Sequence, residues 1–149
     1  MKSIITACAM CLATLPAIAD SFDPAVLPKL LSQPRAKLEA ALGQPERCEN
    51  PGGTVTFCNF QNKERNERYA ARLNGDRTFY VHWLLSSTAG RSVTWGQIFP
   101  DGECREPPAP RYIAGQLYSF TWTCRDHVQV EIAERENGKT QAVTVSNHD

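Results

Sequence analysis

The sequence predicts an α+β fold in which short N-terminal helices pack on an antiparallel β-sheet and two disulfides hold the whole together. Three observations predict it. The apolar period is helical before residue 48 and switches to two after it. Asn-Gly pairs at 74–75 and 137–138 each sit between alternating runs, the pattern of a β-hairpin. Four cysteines, Cys48, Cys58, Cys104 and Cys124, follow an N-terminal export signal.

The signal is "MKSIITACAMCLATLPAIAD", with a basic Lys2, an apolar run from Ile4 to Leu15 and a small-x-small end at Ala17-Ile18-Ala19. About a dozen apolar residues fall short of the roughly 20 that span a bilayer as a helix. A lipoprotein box at Ile5–Cys8 would leave too little apolar sequence ahead of the cysteine. Residues 1–19 therefore read as a signal peptide cleaved near Ala19-Asp20. Residues 20–149 read as one disulfide-stapled domain, periplasmic or secreted, with no membrane span. Without Lys2 there are fifteen basic against sixteen acidic residues, so no overall field recruits nucleic acid.

The first element is helical. In "DPAVLPKLLSQPRAKLEAALGQP", Asp23-Pro24 opens a helix and Leu27, Leu30 and Leu31 recur at its spacing. Pro28 keeps it short. A second helix begins after Ser32-Gln33-Pro34 and ends at Gly43, with Pro45 beyond. Its Leu38, Ala41 and Leu42 form one apolar face.

Strands follow. "TVTFCNF" puts Thr56, Cys58 and Phe60 on one face, and Val55, Phe57 and Asn59 on the other. "RYAARL" and "RTFYVHWLL" flank Asn74-Gly75, with Tyr69, Ala71 and Leu73 opposite Phe79, Val81, Trp83 and Leu85. "SVTWGQIF" and "QLYSFTWTC" read as the next two strands. "HVQVEIAE" and "TQAVTVS" form the last hairpin around Asn137-Gly138. Each half thus carries a cysteine in a turn, a second on a strand and then an Asn-Gly hairpin. The second half offers no helix pair to match the first, so two landmarks alone do not make a repeat.

Intervals of nine and nineteen residues between cysteines match no zinc knuckle, and no Cys-x-x-Cys is present. Pairing within an oxidising compartment is the consequence. Four cysteines allow three pairings; Cys48–Cys58 with Cys104–Cys124 is favoured because each closes a local turn, worth about 3 kcal/mol apiece in the chain-entropy model.

The turn "ALGQPERCE", ending a helix and leading into a hairpin whose strand holds a second cysteine, resembles the helix-helix-sheet module of bacterial β-lactamase-inhibitor proteins and related small outer-membrane lipoproteins. The resemblance covers some thirty residues. Cys8 is a poor lipoprotein anchor, and the second half lacks the module's helices. What the resemblance implies is a binding scaffold rather than an enzyme.

The residues themselves carry no complete catalytic motif. Asp126 and His127 are adjacent and, on a strand, would point apart; a small secreted hydrolase would need His82 or His127 in a pocket. No metal or cofactor set is predicted. "KERNER", Lys63 to Arg68, reads as a solvated loop. The most informative surface is "FPDGECREPPAPRY", Phe99 to Tyr112, whose prolines oppose ladder pairing while Cys104 ties it down. A rigid loop loses little entropy on docking. The expected partner-binding residues are Asp101, Glu103, Arg105, Glu106, Arg111 and Tyr112 of this loop, together with Trp95, which stands beside Gly96. The function this suggests is a periplasmic inhibitor or immunity-type protein occluding a cell-wall hydrolase or another exported enzyme. An envelope-assembly or carbohydrate-binding module using the exposed sheet face is the alternative.

Overall fold

Alternation in the middle of the chain builds the sheet. A computed structural model describes residues 22–85, 91–100, 102–105 and 107–147. Its helices are α1 (Val26–Leu30), α2 (Arg35–Leu42) and α3 (Trp95–Ile98). Its strands are β1 (Arg47–Glu49), β2 (Val55–Asn62), β3 (Glu67–Asn74), β4 (Arg77–Leu84), β5 (Ala109–Ile113), β6 (Gln116–Thr123), β7 (Val128–Glu134) and β8 (Thr140–Asn147). All eight form one antiparallel sheet in the order β1-β2-β3-β4-β8-β7-β6-β5. Sheet therefore dominates, with a few short helices beside it.

The order describes two four-stranded meanders joined through their last strands. Their landmarks coincide. A disulfide ties the first two strands of each: Cys48–Cys58 at a β1–β2 register pair, and Cys104–Cys124 as a bridge just beyond the β5–β6 ladder. The third and fourth strands of each meet at an Asn-Gly, where Gly75 (φ +60°) and Gly138 (φ +72°) take the left-handed conformation that glycine tolerates. A register shift falls at Arg72/Leu73 in one half and Ala133/Glu134 in the other. Each fourth strand carries a buried threonine, second in β4 and first in β8, that holds the segment ahead of a helix. Thr78 donates from N–H and Oγ1 to Gln33 O (3.0 and 2.9 Å). Thr140 donates from N–H to Arg91 O (3.0 Å) and accepts at Oγ1 from Val93 N–H (2.7 Å). The helices that follow, α2 and α3, each place a fully buried aliphatic residue fourth, Leu38 and Ile98.

α3 corrects one expected strand. Thr94 and Gln97 form a capping box, a helix-start signal present in "TWGQ" that outranks the β-branched run before it. The Phe99–Tyr112 stretch also departs from expectation, because its last residues pair with β6 as β5. Pro110 is compatible with that ladder because β5 is an edge strand, where a missing N–H on the outer side costs nothing. Asp126 and His127 lie in a 3-10 turn with positive φ, not on a strand. Glu67 of the "KERNER" run is buried, accepting from Tyr69 Oη (2.7 Å) and Arg65 Nε (3.1 Å), so that loop is only partly solvated.

One cluster of buried residues forms the core. Leu27, Leu30, Leu38, Leu42 and Ile98 from the helices join Phe60, Tyr69, Trp83, Val130 and Val145 from the sheet. Phe22 closes one end against Tyr69 and Trp83 (centroids 5.2 and 5.0 Å). Side chains on a strand alternate between faces, so fixing this face fixes the other. No helix among the described residues is long and apolar enough to cross a membrane.

Candidate docking surface on the open sheet face

The face turned away from the core is a grid that register alone defines. Its central row runs Asn59, Ala70, His82, Thr144, Glu131, Thr121, Ala109 from β2 to β5. On one side lies Phe57, Arg72, Tyr80; on the other lies Leu84, Ala142, Ala133, Ser119, Arg111. These residues interleave with the core set, and Phe57 and Leu84 are exposed.

Two clusters occupy this face. In the first, the Arg72 guanidinium lies over the rings of Tyr80 (4.4 Å) and Phe57 (5.5 Å), which fixes a long side chain and keeps its charge outward. The rings of Tyr80 and His82 stack at 6.4 Å. In the second, Glu131 Oε1 accepts from Ser119 Oγ (2.5 Å) and from Arg111 Nη1 (3.1 Å), while Arg111 also lies over Tyr118 (5.8 Å). His82 joins the clusters through a hydrogen bond between its Nδ1 and Thr144 Oγ1 (2.9 Å). Partial burial pulls the His82 pKa below the ordinary imidazole value; Glu131 opposes that shift and Arg72 adds to it. The folded environment therefore favours the neutral imidazole.

The charge balance of the face is positive. Arg47 pairs with Glu49 and Arg111 with Glu131, whereas Arg68 and Arg72 have no carboxylate within ion-pair distance among the described residues. No group of metal-ligating side chains occurs among the described residues.

The residues expected from sequence do not form one site. Arg111 lies on the open face, and the 62% exposed Tyr112 follows it on the edge strand. Trp95 is half-buried at the start of α3 and packs against the core from the helix side. Glu103 and Arg105 are exposed beside the Cys104–Cys124 bridge, where Glu103 O accepts from Arg125 N–H and Arg105 N–H donates to Thr123 O. Asp101 and Glu106 lie outside the described residues, as do the signal segment and His148. His82 and His127 do not share a site: the first is mid-strand in β4, the second exposed in the turn before β7. What the sequence reading passed over is the Arg72, Tyr80, His82, Glu131 group. Its signal was the other half of the alternation, the positions between Tyr69, Ala71, Val81 and Trp83.

No family model matches the chain, and no curated protein matches it. Solved structures share its fold. A cysteine-rich secretory protein of Staphylococcus aureus superposes with a TM-score of 0.53 at 10% identity, over 80% of this chain and 45% of that one. An extracellular protein containing an SCP domain from Bacillus anthracis gives 0.52 at 6% identity, over 81% and 45%. A DUF4309 family protein of Bacillus subtilis gives 0.49 at 11%, over 77% and 78%. The chain thus spans less than half the length of the first and second of these proteins. At 10% and 6% identity, the likeness to the first two of these is one of fold.

Proposed function

We propose that this is an exported binding protein that docks an acidic surface of another exported protein against the open face of its sheet, as an inhibitor or immunity-type partner of an enzyme. Export is supported by the signal-like N-terminus, by two disulfides and by neighbours described as secretory and extracellular. The observation that carries the docking surface is Arg72 held over Tyr80 and Phe57 with no carboxylate partner among the described residues. Arginine and aromatic side chains dominate binding hot spots, and a rigid guanidinium loses little freedom on docking. The loop expected to occlude a partner contributes Arg111 to this face, with Tyr112 on the neighbouring edge.

The test is capture from envelope and culture-supernatant extracts under non-reducing conditions, with mature wild type and the Arg72→Ala/Tyr80→Ala double variant side by side. Wild type retains a partner that the variant loses, since a hot-spot pair is worth roughly 2 kcal/mol or more. Adding purified wild type then lowers that partner's enzymatic activity in stoichiometric fashion. Equal retention by both baits would dismiss the open face.

A further inference from the structure

The two meanders differ most at one equivalent pair of positions. Next to its register shift, the first half carries the cross-strand pair Arg72–Tyr80; next to the matching shift, the second carries Ala133–Ala142. Both alanines are 4% exposed, yet neither joins the core cluster, so they form the floor of a depression on the open side. The depression holds about 130 Å³, room for one side chain of moderate size. It exists because the second half has methyl groups where the first has a guanidinium and a phenol.

We infer that this hollow takes a single carboxylate side chain of the docked partner, an inference that rests on the open face being the docking surface. Its rim is rich in donors. Among the described residues Arg111 makes one hydrogen bond, through Nη1 to Glu131, and its side chain is 59% exposed, so most of its five N–H groups point to an open acceptor position there. Tyr80, Tyr118 and His82 line the same space. Among the described residues lining it, the acidic one is Glu131, whose Oε1 is already shared by Ser119 and Arg111. An anionic guest can take the Arg111 N–H groups that Glu131 leaves open, and the existing Arg111–Glu131 and Ser119–Glu131 bonds stay in place. A carboxylate held by a planar guanidinium also gains the geometry that makes such pairs strong.

The test uses a defined probe, so it does not depend on the partner's identity. Acetyl-Ala-Glu-Ala-amide is titrated into the mature, oxidised protein and followed by backbone amide shifts, with Gln and Lys peptides as comparisons. Saturable shifts at Glu131, Ala133, Ala142 and Thr144 are expected with the Glu peptide, at least tenfold weaker with the Gln peptide. Ala142→Tyr, which writes the first half's residue into the second, removes them. Arg111→Met, at an exposed position on the edge strand, removes the preference for Glu over Gln. An equal response to Gln or Lys, no saturable shift, or a response that survives Ala142→Tyr overturns the inference. Repeating the capture experiment separates the two readings. A partner lost by Arg72→Ala/Tyr80→Ala but kept by Ala142→Tyr leaves the docking face standing without the hollow, and a partner kept by both removes both.

Discussion

From Phe22 to Leu85 and from Arg91 to Asn147 the chain runs the same plan twice, yet the two halves use their faces differently. In the first, the eight-residue α2 covers the core side, and the open side is built up by Arg72 on its rings. In the second, α3 is four residues long, Phe120 and Trp122 stay half-exposed, and the open side is cut away to alanine. One scaffold solution supports a raised surface and a recessed one side by side. The shared hydrogen-bond and packing positions keep the plan, and the divergent positions give the surface its relief.

The largest expected effect tests whether the halves share one core. Leu38→Ala and Ile98→Ala each empty a fully buried, equivalent position and should cost about 2–5 kcal/mol. Both should lower a single unfolding transition in calorimetry; two separable transitions would split the comparison into independent units. Removing either disulfide as a Cys→Ala pair should cost about 2–4 kcal/mol by denaturant titration, with the Cys104/Cys124 pair the more costly because its loop is longer, a sequence separation of 20 against 10.

The buried threonines offer a sharper contrast. Thr140→Val strands the buried Val93 N–H, so about 1–3 kcal/mol is expected. In Thr78→Val the acceptor, Gln33 O, keeps its bond from the residue 78 N–H, so about 1 kcal/mol is expected. Equal losses would show that the two anchors are less distinct than their hydrogen bonds.

The smallest effect lies where the halves meet. His82 binds its proton less readily folded than unfolded. The unfolded chain therefore takes up more protons as pH falls below about 6.5, and stability declines from there toward the lower folded value. His82→Gln should flatten that acid limb, beside a pH-independent change from the altered contacts with Thr144 and Tyr80. An unaltered pH profile would mean that the imidazole is as free to ionise folded as unfolded.

Much of the fold was legible because it rests on local chemistry. The Asn-Gly turns, the alternation through "TVTFCNF" and the exit at Gly43, which has φ +91°, each follow from single residues. Cysteine pairing followed from compartment and loop closure. The misread segments were those where two local signals compete. "SVTWGQIF" mixes β-branched residues with a Thr-x-x-Gln cap, and the cap prevailed. Around Pro110 the proline signal hid an edge strand, since edge status depends on the order of the whole sheet. The open-face group was hidden for a related reason. Arg72, Tyr80, His82, Glu131 and Arg111 come from four strands, and only the β4–β8 pairing brings the halves of that surface together.

Both rims of the sheet are locked. β1 and β5, the outermost strands, are each tied to their neighbour through or beside a cystine; one has three residues and the other carries a proline. A long unpaired rim is where foreign strands add on and fibrils begin. Thiol reduction would therefore do more than lower the melting temperature: it would release those borders and invite self-assembly, making shelf life in reducing buffer the property most sensitive to the sulfur chemistry.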